Sequence, residues 1–308
     1  MTTAYITHAQ CLLHEMTEDH PESPRRLWAI NDALIQARVM DLLSEHSAIK
    51  ASKKQLCQVH SLEMFEHLAA HSPKEGLYAV DPDTYMNSHS LDAAYYAAGA
   101  VIKASDLVMK KEATNAFCAV RPPGHHAERN QAMGFCLFNN IAVGVQHVLD
   151  EYHLQRVAVL DFDVHHGNGT EDIFRHDERV MVCSSYQHPF YPYSGEPTVP
   201  GHLINTPLAA GTNGEGFREA ISKEWLPQLH GFKPEMIFIS AGFDAHKLDE
   251  LAHLNLLEDD YAWVTQEIMK IAKAYSEERI VSSLEGGYHL NALASSVVAH
   301  IKALLNIY

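Results

Sequence analysis

Six short apolar runs, each leading toward an amphipathic or alanine-rich segment, constrain this chain more than any other feature. They are Thr3–Thr7 and residues 116–120, 156–160, 180–184, 236–240 and 280–284. Helix-like segments cover residues 90–111, 139–152, 216–229, 259–276 and 291–307. Continuous apolar strands alternating with helices predict a parallel sheet covered on both faces. The fold class is therefore α/β. No repeat, low-complexity tract or linker divides the chain. Residues 1–308 read as one domain, a size that single α/β domains reach.

Four of the runs end in residues suited to chemistry. Run 116–120 leads into Arg121-Pro-Pro-Gly-His125-His126, and run 156–160 into Asp161-Phe-Asp163-Val-His165-His166. Run 236–240 leads into Ala241-Gly-Phe-Asp244, and run 280–284 into Glu285-Gly-Gly-Tyr288. Ligand sites in open parallel sheets form at the carboxyl ends of the strands, so these four ends can converge on one crevice. If the backbone stays extended beyond residue 160, Asp161, Asp163 and His165 project to one side. Each cluster also has a plainer use. Asp244 suits a helix N-cap, the His pair a surface turn, and Gly-Gly-Tyr a tight turn carrying a packed ring. Together they supply carboxylates and imidazoles for a metal, further histidines for proton transfer and a phenol donor.

Composition narrows the partners. With 23 basic and 39 acidic residues, the net charge of −16 argues against direct nucleic-acid binding, which needs a concentrated basic surface. It suits cationic partners such as basic peptides, lysine-rich tails or polyamines, although acidic surfaces also serve solubility. Five cysteines without CxxC spacing read as reduced thiols and exclude a cysteine-rich zinc finger. No membrane-length apolar run and no leader-like N-terminus is present, so a soluble, cytoplasmic protein is expected.

The motifs RPPGHH, GFCLFNN, LDFDVHHGNGT, SAGFDAH and LEGGYHL resemble the zinc-dependent histone deacetylases and acetylpolyamine amidohydrolases. The resemblance extends to His20-Pro-Glu-Ser-Pro-Arg-Arg-Leu and Asp81-Pro-Asp83-Thr-Tyr. SAGFD, EGGY and Asn168 resemble the class II branch, where class I carries Asp at the last position. A chain of this kind fits a bacterial member. The implied fold is the arginase/deacetylase fold, a parallel sheet of about eight strands between helices.

The resemblance implies the following assignments. Asp163, His165 and Asp244 bind one Zn²⁺, with positions left for water and substrate. His126 is general base and then acid, and His125 orients the water. Asp161 holds the His125 ring, and Asn168 contacts His126 without the charge of an Asp, so a lower His126 pKa is expected. Tyr288 steadies the oxyanion. Phe135 and Tyr191, with Gly134 and Gly287, wall a narrow channel; Leu251 occupies the gatekeeper position and Asp83 the rim. A structural K⁺ draws on the carbonyls of Asp161, Asp163 and His165, with Ser184 and Ser185. The implied activity is removal of acetyl groups from acetyl-lysine in peptides or proteins. An acetylpolyamine amidohydrolase is the alternative and a silent acetyl-lysine binder a distant one. A ureohydrolase would need more carboxylates for two manganese ions. Substrate, acyl length and oligomeric state stay open.

Overall fold

The computed structural model describes residues 2–195 and 197–308. The first half runs β1 (Thr3–Thr7), α1 (Arg25–Gln36), β2 (Leu43–Ser47), α2 (Lys53–Val59), α3 (Leu62–His71), β3 (Tyr78–Ala79), β4 (Tyr85–Met86), α4 (Ser90–Met109), β5 (Asn115–Cys118) and α5 (Asn140–Glu151). The second runs β6 (Val157–Asp161), α6 (Asn168–Phe174), β7 (Val180–Gln187), β8 (Leu203–Leu208), α7 (Gly214–Glu224), α8 (Leu226–Phe232), β9 (Met236–Ala241), α9 (Glu258–Tyr275), β10 (Ile280–Leu284) and α10 (Leu290–Leu304).

Eight strands make one sheet in the order β2-β1-β5-β10-β9-β6-β7-β8. Every ladder in it is parallel. Strands β5, β6, β7, β9 and β10 are buried at every residue. That is why they read as continuous apolar runs rather than alternating ones. Helices flank the sheet: α1 and α9 pack on α10, and α4 packs on α5. The α/β expectation and the eight-stranded parallel sheet are both met.

Two strands that the sequence did not announce lie at the edges of the sheet. The edge strand β2 (Leu-Ser-Glu-His-Ser) is half exposed. The opposite edge, β8, carries an exposed Pro207, which an edge tolerates because a central ladder would need its N–H. The segment read as one helix over 216–229 is two, because α8 begins afresh at Leu226. Pro227 sits in the first turn of α8, where a missing N–H breaks no intrahelical bond. At this junction Trp225 is fully buried, and its indole donates to Thr206 Oγ1 at 3.1 Å.

From β5 the chain crosses to β6, three positions along the sheet, and only later fills the gap with β9 and β10. Such a reversal opens a crevice above the carboxyl ends. Among the described residues, no helix is long and apolar enough to cross a membrane.

Candidate active site

The four strand ends singled out in the sequence are neighbours, β5, β10, β9 and β6. Their residues meet through backbone hydrogen bonds to buried carboxylates. Strand β6 stops at Asp161, so no extended strand carries Asp163 and His165. Instead Asp163 N–H donates to Asp161 Oδ1 at 3.1 Å and His165 N–H to Asp163 Oδ1 at 2.9 Å. These two short turns fold the segment over the strand end. From β9, Asp244 Oδ1 accepts the Val164 N–H at 3.0 Å. It caps no helix. From β10, Gly286 N–H donates to Asp163 Oδ2 at 2.8 Å.

Asp163, His165 and Asp244 thereby present three ligand atoms within 4.8 Å of one another, the one such metal-competent group among the described residues. His165 Nδ1 lies 3.0 Å from Asp163 Oδ1 and 3.3 Å from Asp244 Oδ2. Ligands at about 2.1 Å around a tetrahedral ion stand roughly 3.4 Å apart, so the spacing fits a small divalent metal. The charge fits as well. Burial and the Asp163 charge push Asp244 up to about 6. Its Oδ2 is buried with no hydrogen-bond partner among the described residues. A divalent cation would satisfy both carboxylates.

Gly286 makes this approach possible. A Cβ there would stand 2.0 Å from Asp244 Oδ2 and 2.6 Å from Asp163 Oδ2.

The imidazole pair enters from the loop after β5. Glu285 Oε2 accepts the N–H groups of Gly124 at 2.7 Å and His125 at 3.1 Å, tying that loop to β10. His125 Nδ1 lies 2.9 Å from Asp161 Oδ2. Burial opposes charge on this ring, but Asp161 and then Asp163 outweigh it and hold its pKa well above the ordinary value. His126 behaves oppositely. Burial, then the neighbouring His125 and His165, hold its pKa well below the ordinary value. Its Nδ1 lies 2.7 Å from Asn168 Oδ1. Two adjacent imidazoles are thus driven apart in pKa, one toward cation and one toward neutral base.

His126 and His165 line a cavity of about 240 Å³ together with Tyr288, Gly134, Phe135, Phe190, Tyr191, Asp83 and Leu251. Phe190 stacks on His165 with centroids 5.6 Å apart, and Tyr191 stands edge-on to His126 at 5.2 Å. Phe135 meets Tyr288 edge-on at 5.8 Å. Gly134 holds φ +58°, and a Cβ there would come within 2.6 Å of His126 Cδ2. Asp81 anchors the rim, taking the N–H groups of Asp83 and Thr84 on Oδ1 and of Gly134 on Oδ2. Burial and the nearby Asp81 raise the Asp83 carboxyl to about 6.

Gly287 does not line the cavity. At φ +118° it sits where a Cβ would meet Leu293 and Phe243, and its carbonyl accepts from Arg26 Nε at 2.7 Å. Of the potassium residues, Ser184 pairs with Asp161 in the β6–β7 ladder. Its hydroxyl lies 3.0 Å from His166 Nδ1 and 3.5 Å from Gly167 N. Ser185 is buried beside it.

The sequence reading missed the groups that hold the tyrosine. Asp249 Oδ2 accepts the N–H groups of Tyr288 at 2.6 Å and His289 at 3.0 Å. Arg26, fully buried, bonds the carbonyls of Gly287 and Glu285 and the carboxylate of Glu22. Glu22 in turn pairs with buried Arg121. The motif His20-Pro-Glu-Ser-Pro-Arg-Arg held a signal, since three charged residues beside two prolines at a helix start suit a fixed structural hub better than a mobile surface. Phe190, next to Tyr191, was also within reach.

The histone deacetylase domain matches residues 20–304. A probable deacetylase of Archaeoglobus fulgidus is 37% identical over 94% of this chain and 82% of its own length. A histone deacetylase-like amidohydrolase of Pseudomonas aeruginosa is 36% identical over 88% of this chain and 72% of its own. The crystal structure of the HDA15 HD domain superposes with a TM-score of 0.93 at 33% identity, covering 99% of this chain and 88% of that one. With its catalytic-looking crevice and a family match across nearly its whole length, the chain belongs to the histone deacetylase family.

Proposed function

We propose that this protein is a zinc-dependent, class II-like deacetylase that hydrolyses the side-chain amide of acetyl-lysine in peptides or proteins and releases acetate. The observation that carries the reading is the Asp163–His165–Asp244 cluster at a cavity that also holds His126 and Tyr288. When bound there, zinc would supply Lewis-acid polarisation of the amide carbonyl and lower the pKa of water.

The chain's own groups do the rest. His126, neutral and with Nδ1 engaged by Asn168, takes the proton of the attacking water at Nε2 and returns it to the leaving amine. His125, its Nδ1 held by Asp161, orients that water and steadies negative charge. Burial keeps the Tyr288 phenol protonated against the pull of Arg26, so it donates to the oxyanion. Phe135, Phe190 and Tyr191 enclose the apolar stem of the acyl-lysine, and Asp83 accepts a substrate main-chain N–H at the rim. Ser184, beside Asp161 in the sheet, would join neighbouring carbonyls around a structural K⁺. A higher melting temperature in potassium than in sodium salt supports that part of the proposal, and equal values refute it.

Acetylpolyamine hydrolysis is the second reading, favoured by acidic Glu250 beside the mouth. Leu251, not Glu250, lines the channel itself, which favours acetyl-lysine. Glu250 faces a neighbouring cavity of about 490 Å³. The test is kcat/KM of zinc-loaded protein on acetyl-lysine peptides against N-acetylated polyamines. Preference for the peptides is expected; preference for the polyamines overturns the substrate choice.

A further inference from the structure

Asn168 is buried, and the two ends of its amide face chemically different neighbours. Oδ1 lies 2.7 Å from His126 Nδ1. Nδ2 donates to Glu128 Oε1 at 2.7 Å and approaches the His126 carbonyl at 3.4 Å. An amide can turn end for end, because its oxygen and nitrogen have nearly the same shape. Turned, Asn168 would set its oxygen against the Glu128 carboxylate and the His126 carbonyl, three acceptors without a hydrogen among them. It would also offer N–H to His126 Nδ1. The imidazole proton would then have to move to Nε2, the nitrogen that must stay bare to act as base.

The geometry points to Glu128 as a positioning residue that fixes the Asn168 amide and, through it, the Nδ1–H tautomer of His126. This deepens the proposed function and rests on His126 being the base. Glu128 touches no reacting atom. Its carboxylate offers only acceptors toward Asn168, and a charge-assisted bond of this kind outweighs a neutral one. Its backbone is anchored independently: Glu128 N–H donates to the Gln131 carbonyl at 2.8 Å, and its own carbonyl lies 2.9 Å from His60 Nδ1. The side chain lines a cavity of about 310 Å³ next to Asn168, so trimming it leaves the fold's core contacts in place.

The charge of Glu128 also explains how an asparagine can serve here. An aspartate at 168 would accept from His126 through either oxygen and would need no orienting partner, but it would repel Glu128. The two positions are therefore coupled.

The test combines Glu128→Ala and Asn168→Asp in zinc-loaded protein, with ¹⁵N spectra of labelled imidazoles beside the kinetics. Glu128→Ala is expected to lower kcat about tenfold or more, as a base loses its correct tautomer, with KM changed little. In the Asn168→Asp background the same substitution should cost under about twofold, which is the scatter of independent effects. The His126 spectrum should show Nδ1–H in the parent protein and a mixed or reversed tautomer in Glu128→Ala. An equal kcat factor in both backgrounds, or an unchanged tautomer, overturns the role of Glu128. Should the parent protein hydrolyse no acetylated amine, the functional reading fails on its own, and the imidazole spectrum still decides Glu128.

Discussion

The guanidinium of Arg26 stands 4.9 Å from the ring centroid of Tyr288. Its Nε meanwhile holds the carbonyl of Gly287, the residue just before that tyrosine. A helix near the N-terminus thus fixes the phenol presented after the last strand, 262 positions away in the sequence. Positioning of this kind matters because a misplacement of about 1 Å can cost on the order of a hundredfold in rate.

Arg26→Lys keeps the charge and loses the planar fork that reaches Glu22, Glu285 and Gly287 together. The two residues are not interchangeable at such a site. We expect kcat to fall by roughly 10–10² with zinc content unchanged. Wild-type kcat in Arg26→Lys would remove Arg26 from the positioning of Tyr288.

Acid stability should follow the same hub. Burial alone would raise the Glu22 carboxyl, but Arg121, His14 and Arg26 outweigh it and lower its pKa from 4.5 to about 2. A carboxyl depressed on folding stabilises the protein above its unfolded pKa, and the gain is lost as pH falls from about 4.5 to about 2, worth about 3 kcal/mol. His14, 3.5 Å from Glu22, is lowered from 6.5 to about 3 by burial. The unfolded chain binds its proton first, so this contribution too is lost on acidification, beginning near pH 6.5. Thermal melts from pH 7 to 2 should show the decline. Glu22→Gln should melt lower at pH 7 by the roughly 3–5 kcal/mol of a broken buried pair, with a flatter slope below pH 4.5. A parent-like slope in that variant would contradict the assignment.

Gly286→Ala should abolish metal binding while the protein still folds, because the added methyl would overlap Asp244 and Asp163 oxygens. Metal analysis and circular dichroism decide it. A variant that holds one metal per chain at parental affinity would show that this glycine is not required.

Much of the site was legible because its residues sit at ends of buried strands, where apolar runs stop at charged or glycine-rich turns. Asp163, His165 and Asp244 announced themselves in this way, although turns rather than an extended strand bring them together. Gly287 holds a left-handed backbone in the turn before Tyr288, where a Cβ would meet Leu293 and Phe243. Arg26, Glu22, Asp249 and Glu128 were not assigned roles, since the partners that give them one lie far away in the chain. Strands β2 and β8 were missed because edges lack the apolar signature of the sheet's centre.

Asn168→Asp should move the acid limb of the pH–kcat/KM profile to higher pH. A carboxylate beside His126 favours the imidazolium, so the base is lost to protonation earlier as pH falls. An unmoved limb would detach Asn168 from the base.

The most direct measurement is acetate release from an acetyl-lysine peptide as metal-free protein is titrated with zinc. Activity should climb to a plateau at one zinc per chain, and Tyr288→Phe should reach the same stoichiometry with kcat lower by about 10²–10³. No activity at any zinc loading, or a plateau at two ions per chain, would contradict the account.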